Sequence, residues 1–133
     1  MRPFLPLLCL LLGGCVTTAG VPVADGTGGA VGAPNGVGVG GNGVAAAALA
    51  DLPRGDRARA LAAEYQALEF QSVGERVEWR GTRGSGAASA LAPFRVGSQN
   101  CRQLVHTLTV GAETRTERGS ACREPNGTWT PLS

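Results

Sequence analysis

The chain has 133 residues, of which 12 are basic, 10 are acidic and 21 are glycine, and its formal charge is +2. This length limits it to one small domain with tails, and glycine at about twice its usual share indicates that part of the chain builds no packed core. The small charge gives no reason to expect nucleic acid as a partner, and no apolar run reaches the roughly 18 residues of a membrane-spanning helix.

The amino terminus has the organisation of an export signal. Arg2 precedes residues 4–12 (FLPLLCLLL), an apolar run that is too short to span a bilayer. Residues 12–15 (LGGC) follow and resemble the lipobox of bacterial lipoproteins, in which the cysteine thiol receives the lipid. We therefore predict a lipoprotein signal peptide over residues 1–14 and lipidation of Cys15 with acyl chains such as palmitate. An ordinary secretory signal with an incidental cysteine is the alternative.

Residues 15–50 are predicted to form a Gly/Ala-rich tether behind the lipidated Cys15. From Gly26 to Val44, 9 of 19 residues are glycine and none is leucine, isoleucine or aromatic. Such a segment buries too little apolar surface to offset its chain entropy, and as a coil it would reach about 30 Å. The alternative is a degenerate glycine zipper with glycines four apart from Gly28 to Gly40, which Pro34 interrupts.

The first regular element of the remaining chain is a helix over residues 57–70 (RARALAAEYQALEF). Asp56 is its candidate N-cap, since aspartate accepts hydrogen bonds from the first free amides of a helix. Residues at spacings of three and four predict the buried stripe, which consists of Ala58, Leu61, Ala62, Tyr65 and Leu68. Glu64 and Glu69 are expected to be solvated charges.

Alternating and β-branched residues predict the strands. These are 75–80, 91–96, 102–110, 113–121 and 128–130, with a loop over 81–86 and a turn over 124–127. Val77 and Trp79 share one face of the first strand. Residues 51–133 are thus predicted to form an α+β domain, with one N-terminal helix packed on a small antiparallel sheet of four or five short strands.

Gly111-Ala112 predicts a two-residue hairpin loop between the third and fourth of these strands. Residues equally far from this loop then face each other, and Cys101 meets Cys122 at a non-hydrogen-bonded pair. The Cα atoms of such a pair are about 4.5 Å apart, which a disulfide accepts, and exported proteins meet an oxidising compartment. We predict a disulfide there, worth about 3 kcal/mol by the chain-entropy model.

A metal site is the alternative use of these cysteines, with His106 as a third ligand. Two thiols and one imidazole fall short of four ligands, and His106 would point to the opposite strand face from Cys101. His106 is the only histidine, and no nucleophile elbow, phosphate-binding loop or metalloprotease motif occurs. We expect His106 to be structural, with no catalytic residue, no cofactor and no metal.

Residues 119–129 (GSACREPNGTW) resemble the carboxy-terminal signature G-T-A-C-R-x-P-D-G-x-W of the rickettsial-type 17 kDa surface antigen family. Residues 67–70, 79–80 and 101–102 resemble further segments of this family, and the resemblance covers about residues 56–132. Members of the family are outer-membrane lipoproteins with no assigned catalysis. The resemblance implies the same location and class of protein here.

We therefore expect a lipid-anchored protein of the bacterial outer membrane with a structural or interaction role in the cell envelope. The alternative is a periplasmic accessory module that binds a protein partner or a cell-wall polymer such as peptidoglycan. The aromatic rings of Trp79, Trp129 and Phe94 discriminate between the two. A binding module would expose them in a patch, whereas a structural role predicts them buried under the helix.

Overall fold

The computed structural model of the protein describes residues 38–41 and 43–132. Its elements are α1 (Ala46–Leu49), α2 (Arg54–Glu69), β1 (Arg76–Arg80), β2 (Gly84–Val96), β3 (Gln99–Val110), β4 (Glu113–Arg123) and β5 (Trp129–Pro131). The strands form one antiparallel sheet in chain order, and α2 packs on one face of it. The predicted sheet and packed helix are confirmed, but β2, β3 and β4 are 13, 12 and 11 residues long rather than short.

Several predictions concern residues outside the described ranges. The signal peptide over residues 1–14, the lipidation of Cys15 and most of the glycine-zipper spacing fall there, and they stay predictions. Within the described ranges, neither helix has the length and apolar character needed to cross a bilayer.

The turn between β3 and β4 sets the register of the sheet as predicted. Gly111 has a φ of +61°, a left-handed conformation that glycine adopts without the steric cost of a side chain. The resulting ladder pairs Val110 with Glu113 next to the turn and Cys101 with Cys122 far from it. One short loop therefore determines which residues meet about nine pairs away.

The turn from Glu124 to Gly127 is also confirmed. The N–H of Gly127 donates to the carbonyl of Glu124 at 2.9 Å, and Gly127 has a φ of +87°. Asn126 completes the turn, since its Oδ1 accepts a hydrogen bond of 2.9 Å from the N–H of Thr128. This turn directs the chain back along β4 and places Trp129 beside Arg123.

The loop predicted over residues 81–86 ends at residue 83. One long strand, β2, replaces the rest of that loop and the separate strand predicted over residues 91–96. The prediction fails because the first half of β2 (GSGAASA) contains no β-branched residue, and such residues are what mark a strand in a sequence. Small residues suit this strand because α2 packs directly on it.

A one-residue bulge interrupts β2 between Ala90 and Pro93. An extra residue shifts the alternation of side chains, so residues beyond it point to the opposite face. Phe94 consequently pairs with Cys101 on the face of the sheet away from α2. The hairpin beyond the bulge continues to the turn at Gly97, which has a φ of +59°.

The interface between α2 and the sheet consists mostly of small side chains. The buried apolar residues of α2 and of the β2 face that it covers are Ala60, Ala63, Ala67, Leu68, Ala88 and Ala90. The predicted stripe is confirmed only in part: Leu68 is buried and Tyr65 packs against the edge of the core, whereas Ala58, Leu61 and Ala62 are only half-buried. Alanine has a small side chain and contributes less to an apolar pattern than leucine does, so the larger residues suggested a face rotated away from the real one.

The folded domain begins before residue 51. Val39 forms a parallel bridge with Trp129, with hydrogen bonds of 2.7 and 2.9 Å between the backbones, and Ala45 and Leu49 are each 1% exposed in the core. The core therefore takes in residues that were predicted to belong to the tether over 15–50. Two buried apolar side chains, one in the short helix α1 and one just before it, were too weak a pattern to reveal this.

Candidate functional site

Three polar side chains form a buried chain of hydrogen bonds between α2, β1 and β3. The indole Nε1 of Trp79 donates to Nε2 of His106 at 2.8 Å, and Nδ1 of His106 lies 2.7 Å from Oε1 of Glu64. Because an indole N–H can only donate, Nε2 of His106 must accept, and its ring proton therefore sits on Nδ1 and points at Glu64. His106 is a fully satisfied structural histidine, as expected.

Glu64 is not the solvated charge that the sequence suggested, since its side chain is fully buried. Its carboxylate also accepts hydrogen bonds from the backbone N–H groups of Val44 at 2.8 Å and Ala45 at 3.1 Å. The residue thus ties the segment before α1 to α2 and to β3. Although a carboxylate beside an imidazole is an arrangement used in catalysis, both rings and the carboxylate here are closed off from solvent.

Asp56 also has a different role from the predicted one. Helix α2 begins at Arg54 with Pro53 at its N-cap position, and Asp56 is buried inside the first turn. Its carboxylate accepts hydrogen bonds of 2.8 to 3.0 Å from the backbone N–H groups of Thr82, Arg83 and Gly84. Burial alone would raise the pKa of Asp56, but these hydrogen bonds outweigh it and lower the pKa below its ordinary value.

Arg102 is a buried cation that binds backbone carbonyls instead of a carboxylate. Its Nη1 donates to the carbonyls of Ala67, Leu68 and Gln71 at 2.9 to 3.0 Å, and its Nε donates to Leu91 at 3.0 Å. These carbonyls lie at the end of α2 and in the β2 bulge, where the backbone leaves acceptors unpaired. Burial lowers the pKa of Arg102, yet the charge suits the negative end of the helix dipole.

Glu69 was also predicted to be solvated, but its side chain connects α2 to the last two strands, β4 and β5. Its carboxylate accepts a hydrogen bond of 2.7 Å from Nε1 of Trp129 and forms an ion pair of 3.0 Å with Arg123. Burial would raise the pKa of Glu69, but the hydrogen bonds from Arg123 and Trp129 and the charge of Arg123 lower it.

The two tryptophans are buried, whereas Phe94 is exposed. Trp79 is 6% exposed and Trp129 is 3% exposed, and both indoles bond to carboxylates or imidazole beneath α2, as a structural role predicts. Phe94 is 39% exposed on the opposite face. Beside it lies the disulfide between Cys101 and Cys122, whose Cα atoms are 4.0 Å apart.

The face of the sheet away from α2 is polar, and we call it the open face. It is formed by Arg76, Glu78, Arg80, Ser85, Ala87, Ser89, Val105, Thr107, Thr109, Thr114, Thr116 and Arg118. Threonine hydroxyls meet across β3 and β4, with 3.1 Å between Oγ1 of Thr109 and Oγ1 of Thr114. In the part of the chain that the structure describes, Arg76, Arg80 and Arg118 belong to no ion pair.

A shallow depression of about 200 Å³ lies on this open face and is lined in part by Arg76, Glu78, Arg80, Thr107 and Thr109. Its arginines and hydroxyls can donate hydrogen bonds to an anionic or hydroxylated ligand. Over residues 38–41 and 43–132, no group of three His, Cys, Asp or Glu residues is placed to hold a metal ion. Cys15, the remaining predicted site residue, lies outside the described ranges.

Four roles were missed from the sequence, those of Glu64, Asp56, Glu69 and Arg102. Their partners are 19 to 42 residues away for Glu64 and 11 to 35 residues away for Arg102, so no local pattern reveals them. One signal was available for Glu64, because it lies four positions after Ala60 and three positions before Ala67. A buried stripe centred on those alanines would have included it.

Comparison with known proteins finds relatives among surface antigens. The "17 kDa surface antigen" of Rickettsia bellii (strain RML369-C) is 31% identical to this chain over 84 residues, which are 60% of this chain and 52% of that protein. The proteins of the same name from Rickettsia conorii (strain ATCC VR-613 / Malish 7) and Rickettsia rickettsii are 32% identical over 77 residues, 56% of this chain and 48% of each.

The predicted resemblance to the 17 kDa surface antigen family is thereby confirmed. The chain spans about half the length of the curated relatives that it matches. No family model matches the chain, and no solved structure matches it significantly.

Proposed function

We propose, from this relationship to 17 kDa surface antigens, that the protein is an envelope lipoprotein whose domain has a structural or interaction role. Cys15 would carry the lipid and hold the protein at the outer membrane, and the segment between Cys15 and the domain would link the domain to this anchor. The observation that carries the proposal is the LGGC sequence at residues 12–15, directly after an apolar run of signal-peptide length.

Two further observations support this assignment. The relatives are named surface antigens, a name that fits an exposed position in the cell envelope. The disulfide between Cys101 and Cys122 suits a protein that folds in an oxidising compartment. A non-enzymatic role is part of the proposal, and it is supported by Glu64 and His106, which are both buried and already hydrogen-bonded to each other and to Trp79.

Metabolic labelling with palmitate tests the lipid anchor. The wild-type protein should incorporate label and give a mature mass that begins at Cys15, and Cys15→Ser should abolish both. Cys9→Ser is the matched control, because Cys9 lies in the predicted signal peptide and its loss should leave labelling intact. Continued labelling of Cys15→Ser, or an unlabelled wild type, would refute the anchor.

The open face favours a second candidate, a periplasmic module that binds an anionic cell-wall polymer. Arg76 and Arg118 lie at opposite sides of this face, three strand spacings or about 14 Å apart. Between them stand serine and threonine hydroxyls that can bind sugar hydroxyls, while guanidinium groups bind carboxylates. Peptidoglycan offers both kinds of group on one extended polymer.

Co-sedimentation with purified peptidoglycan distinguishes the two candidates. If the polymer is the partner, wild-type protein should sediment with it, and the double variant Arg76→Ala, Arg80→Ala should lose most of this binding. Arg54→Ala is the control, because it removes an exposed arginine from α2 and leaves the open face intact. Equal sedimentation of all three proteins, or of none, would exclude this face as a polymer site.

A further inference from the structure

Exposed apolar side chains gather at one end of the domain. Six large apolar residues are exposed among those described, and four of them, Phe70, Val73, Phe94 and Val96, lie at the end that carries the turn between β2 and β3. The loop after α2 belongs to this end, because the carbonyl of Gln71 binds Arg102 and the N–H of Gly74 binds the carbonyl of Ala90.

The hairpin of β2 and β3 projects beyond the end of α2. From Arg102, the last residue held by α2, β3 extends three residues back to Gln99, which is about 10 Å. Phe94 and Val96 share one face of this arm, since alternate residues of a strand do, and the β2 bulge places them on the face away from α2. They are 39% and 48% exposed. Arg95 lies between them and is also exposed.

The chain that leads to Cys15 leaves the domain at this same end. Gly38 to Gly40 run parallel to β5 and pair with Trp129, which itself pairs with Arg123. Since β5 runs away from this end of the domain, Gly38 lies at the outer limit of the same end, level with the tip of the β2–β3 hairpin. About four strand spacings, or 19 Å, separate Gly38 from the hairpin across the sheet. Residues 16–37 then separate Gly38 from the predicted lipid site.

We propose that the hairpin end of the domain rests on the membrane surface, with Phe94 and Val96 inserted among the lipid headgroups. The proposal rests on the lipid anchor at Cys15, because that anchor brings this end of the domain toward the bilayer. Aromatic and aliphatic side chains beside an arginine are the residue types that favour the interface between lipid and water. The anchor and the hairpin then restrain the orientation of the domain, and the open face lies perpendicular to the membrane.

Quenching by brominated lipid tests this contact in the full-length lipidated protein. Phe94→Trp and Val110→Trp place a new indole at opposite ends of β2 and β3, at two positions that are each 39% exposed in the wild type. Both variants are reconstituted into vesicles of phosphatidylethanolamine with a minority of phosphatidylglycerol, with and without bromine on the acyl chains. Trp79 and Trp129 are buried and contribute the same background to both variants.

The contact predicts that bromine quenches about half or more of the added emission in Phe94→Trp and leaves Val110→Trp unchanged. Equal quenching in both variants, or none in either, would overturn the proposal. So would a blue shift of Phe94→Trp that rises with protein concentration in detergent without lipid, because a second copy of the chain would then cover this end.

Flotation of the same vesicles keeps the two proposals apart. If wild-type protein floats with the vesicles and Cys15→Ser does not, the anchor holds, and quenching alone decides the fate of the hairpin contact. If the wild-type protein fails to float, the anchor and the contact that depends on it are both wrong.

Discussion

The two faces of the sheet use polar residues in opposite ways. On the face covered by α2, Glu64, His106 and Arg102 are buried, and each is held by several hydrogen bonds. On the open face, Arg76 and Arg118 extend into solvent and belong to no ion pair among the described residues. Similar residue types therefore support the fold on one side and are available for contact on the other.

This contrast teaches that residue type alone does not locate function in this domain. A buried charge costs several kcal/mol unless its hydrogen-bonding groups are matched, so the covered face should tolerate few changes. An exposed charge contributes little, so the open face should tolerate many. Four measurements can break or sharpen this distinction.

The largest effect is expected for Arg102→Met. Methionine fills part of the space but leaves the carbonyls of Ala67, Leu68 and Leu91 without their donor, so the free energy of unfolding should fall by about 3–5 kcal/mol. Urea denaturation followed by tryptophan fluorescence measures this. Arg118→Met on the open face should change stability by less than about 0.5 kcal/mol. Similar losses in both variants would contradict the distinction between the faces.

The disulfide is an exception to the tolerance expected of the open face. A covalent bond rather than packing supplies stability there. The double variant Cys101→Ser, Cys122→Ser should lose about 3 kcal/mol of unfolding free energy, since the unfolded chain gains freedom when the bridge is absent. Thermal melting of wild-type protein with and without reductant should show the same difference. Identical melting temperatures would show that the bridge contributes nothing.

Glu64→Gln should lower the free energy of unfolding by about 2 kcal/mol. Both carboxylate oxygens of Glu64 accept hydrogen bonds, whereas the amide of glutamine has only one accepting oxygen. One NH₂ group would then face a backbone N–H or the Nδ1–H of His106. Chemical denaturation checks the value, with Glu78→Gln on the open face as its control. A neutral effect at Glu64 would show that this cluster can rearrange.

The smallest effect concerns acid. The pKa of Asp56 is lowered from its ordinary 3.8 by folding, so its stabilisation is complete above that value and is lost as the pH falls through the lowered pKa. The wild type should therefore lose stability steadily on acidification below about pH 4.

Asp56→Asn is the matching variant. It should lower stability by about 1 kcal/mol at neutral pH and flatten the acid dependence below pH 4. Glu69 contributes a second lowered pKa and a similar acid loss that the variant retains. An unchanged acid profile in Asp56→Asn would assign the whole dependence to other carboxylates.

The parts of the fold that the sequence predicts are those controlled by neighbours in the chain. The loop at Gly111 determines the pairing of Cys101 with Cys122, and the turn at Pro125 determines where β5 begins. Each depends on the backbone preference of one or two residues.

The parts that fail depend on residues far apart in the chain. Three features result from the packing of α2 on an alanine- and glycine-rich strand. They are the burial of Glu64, the bonding of Asp56 to the loop at Thr82 instead of to its own helix end, and the length of β2. Small side chains give little periodic signal, so the sequence pattern does not reveal which face of α2 packs on the sheet. The lipid site at Cys15 stays a prediction from its motif alone.

Arg102 has a consequence for how the domain opens. Because one guanidinium binds both the end of α2 and the bulge at the base of the hairpin, neither can fray without leaving the other uncapped. Amide hydrogens near Leu68 and Leu91 should therefore exchange with solvent together, as one cooperative unit. A force applied at the hairpin tip would reach the end of α2 in part through this side chain, so the hairpin is mechanically linked to the core of the domain.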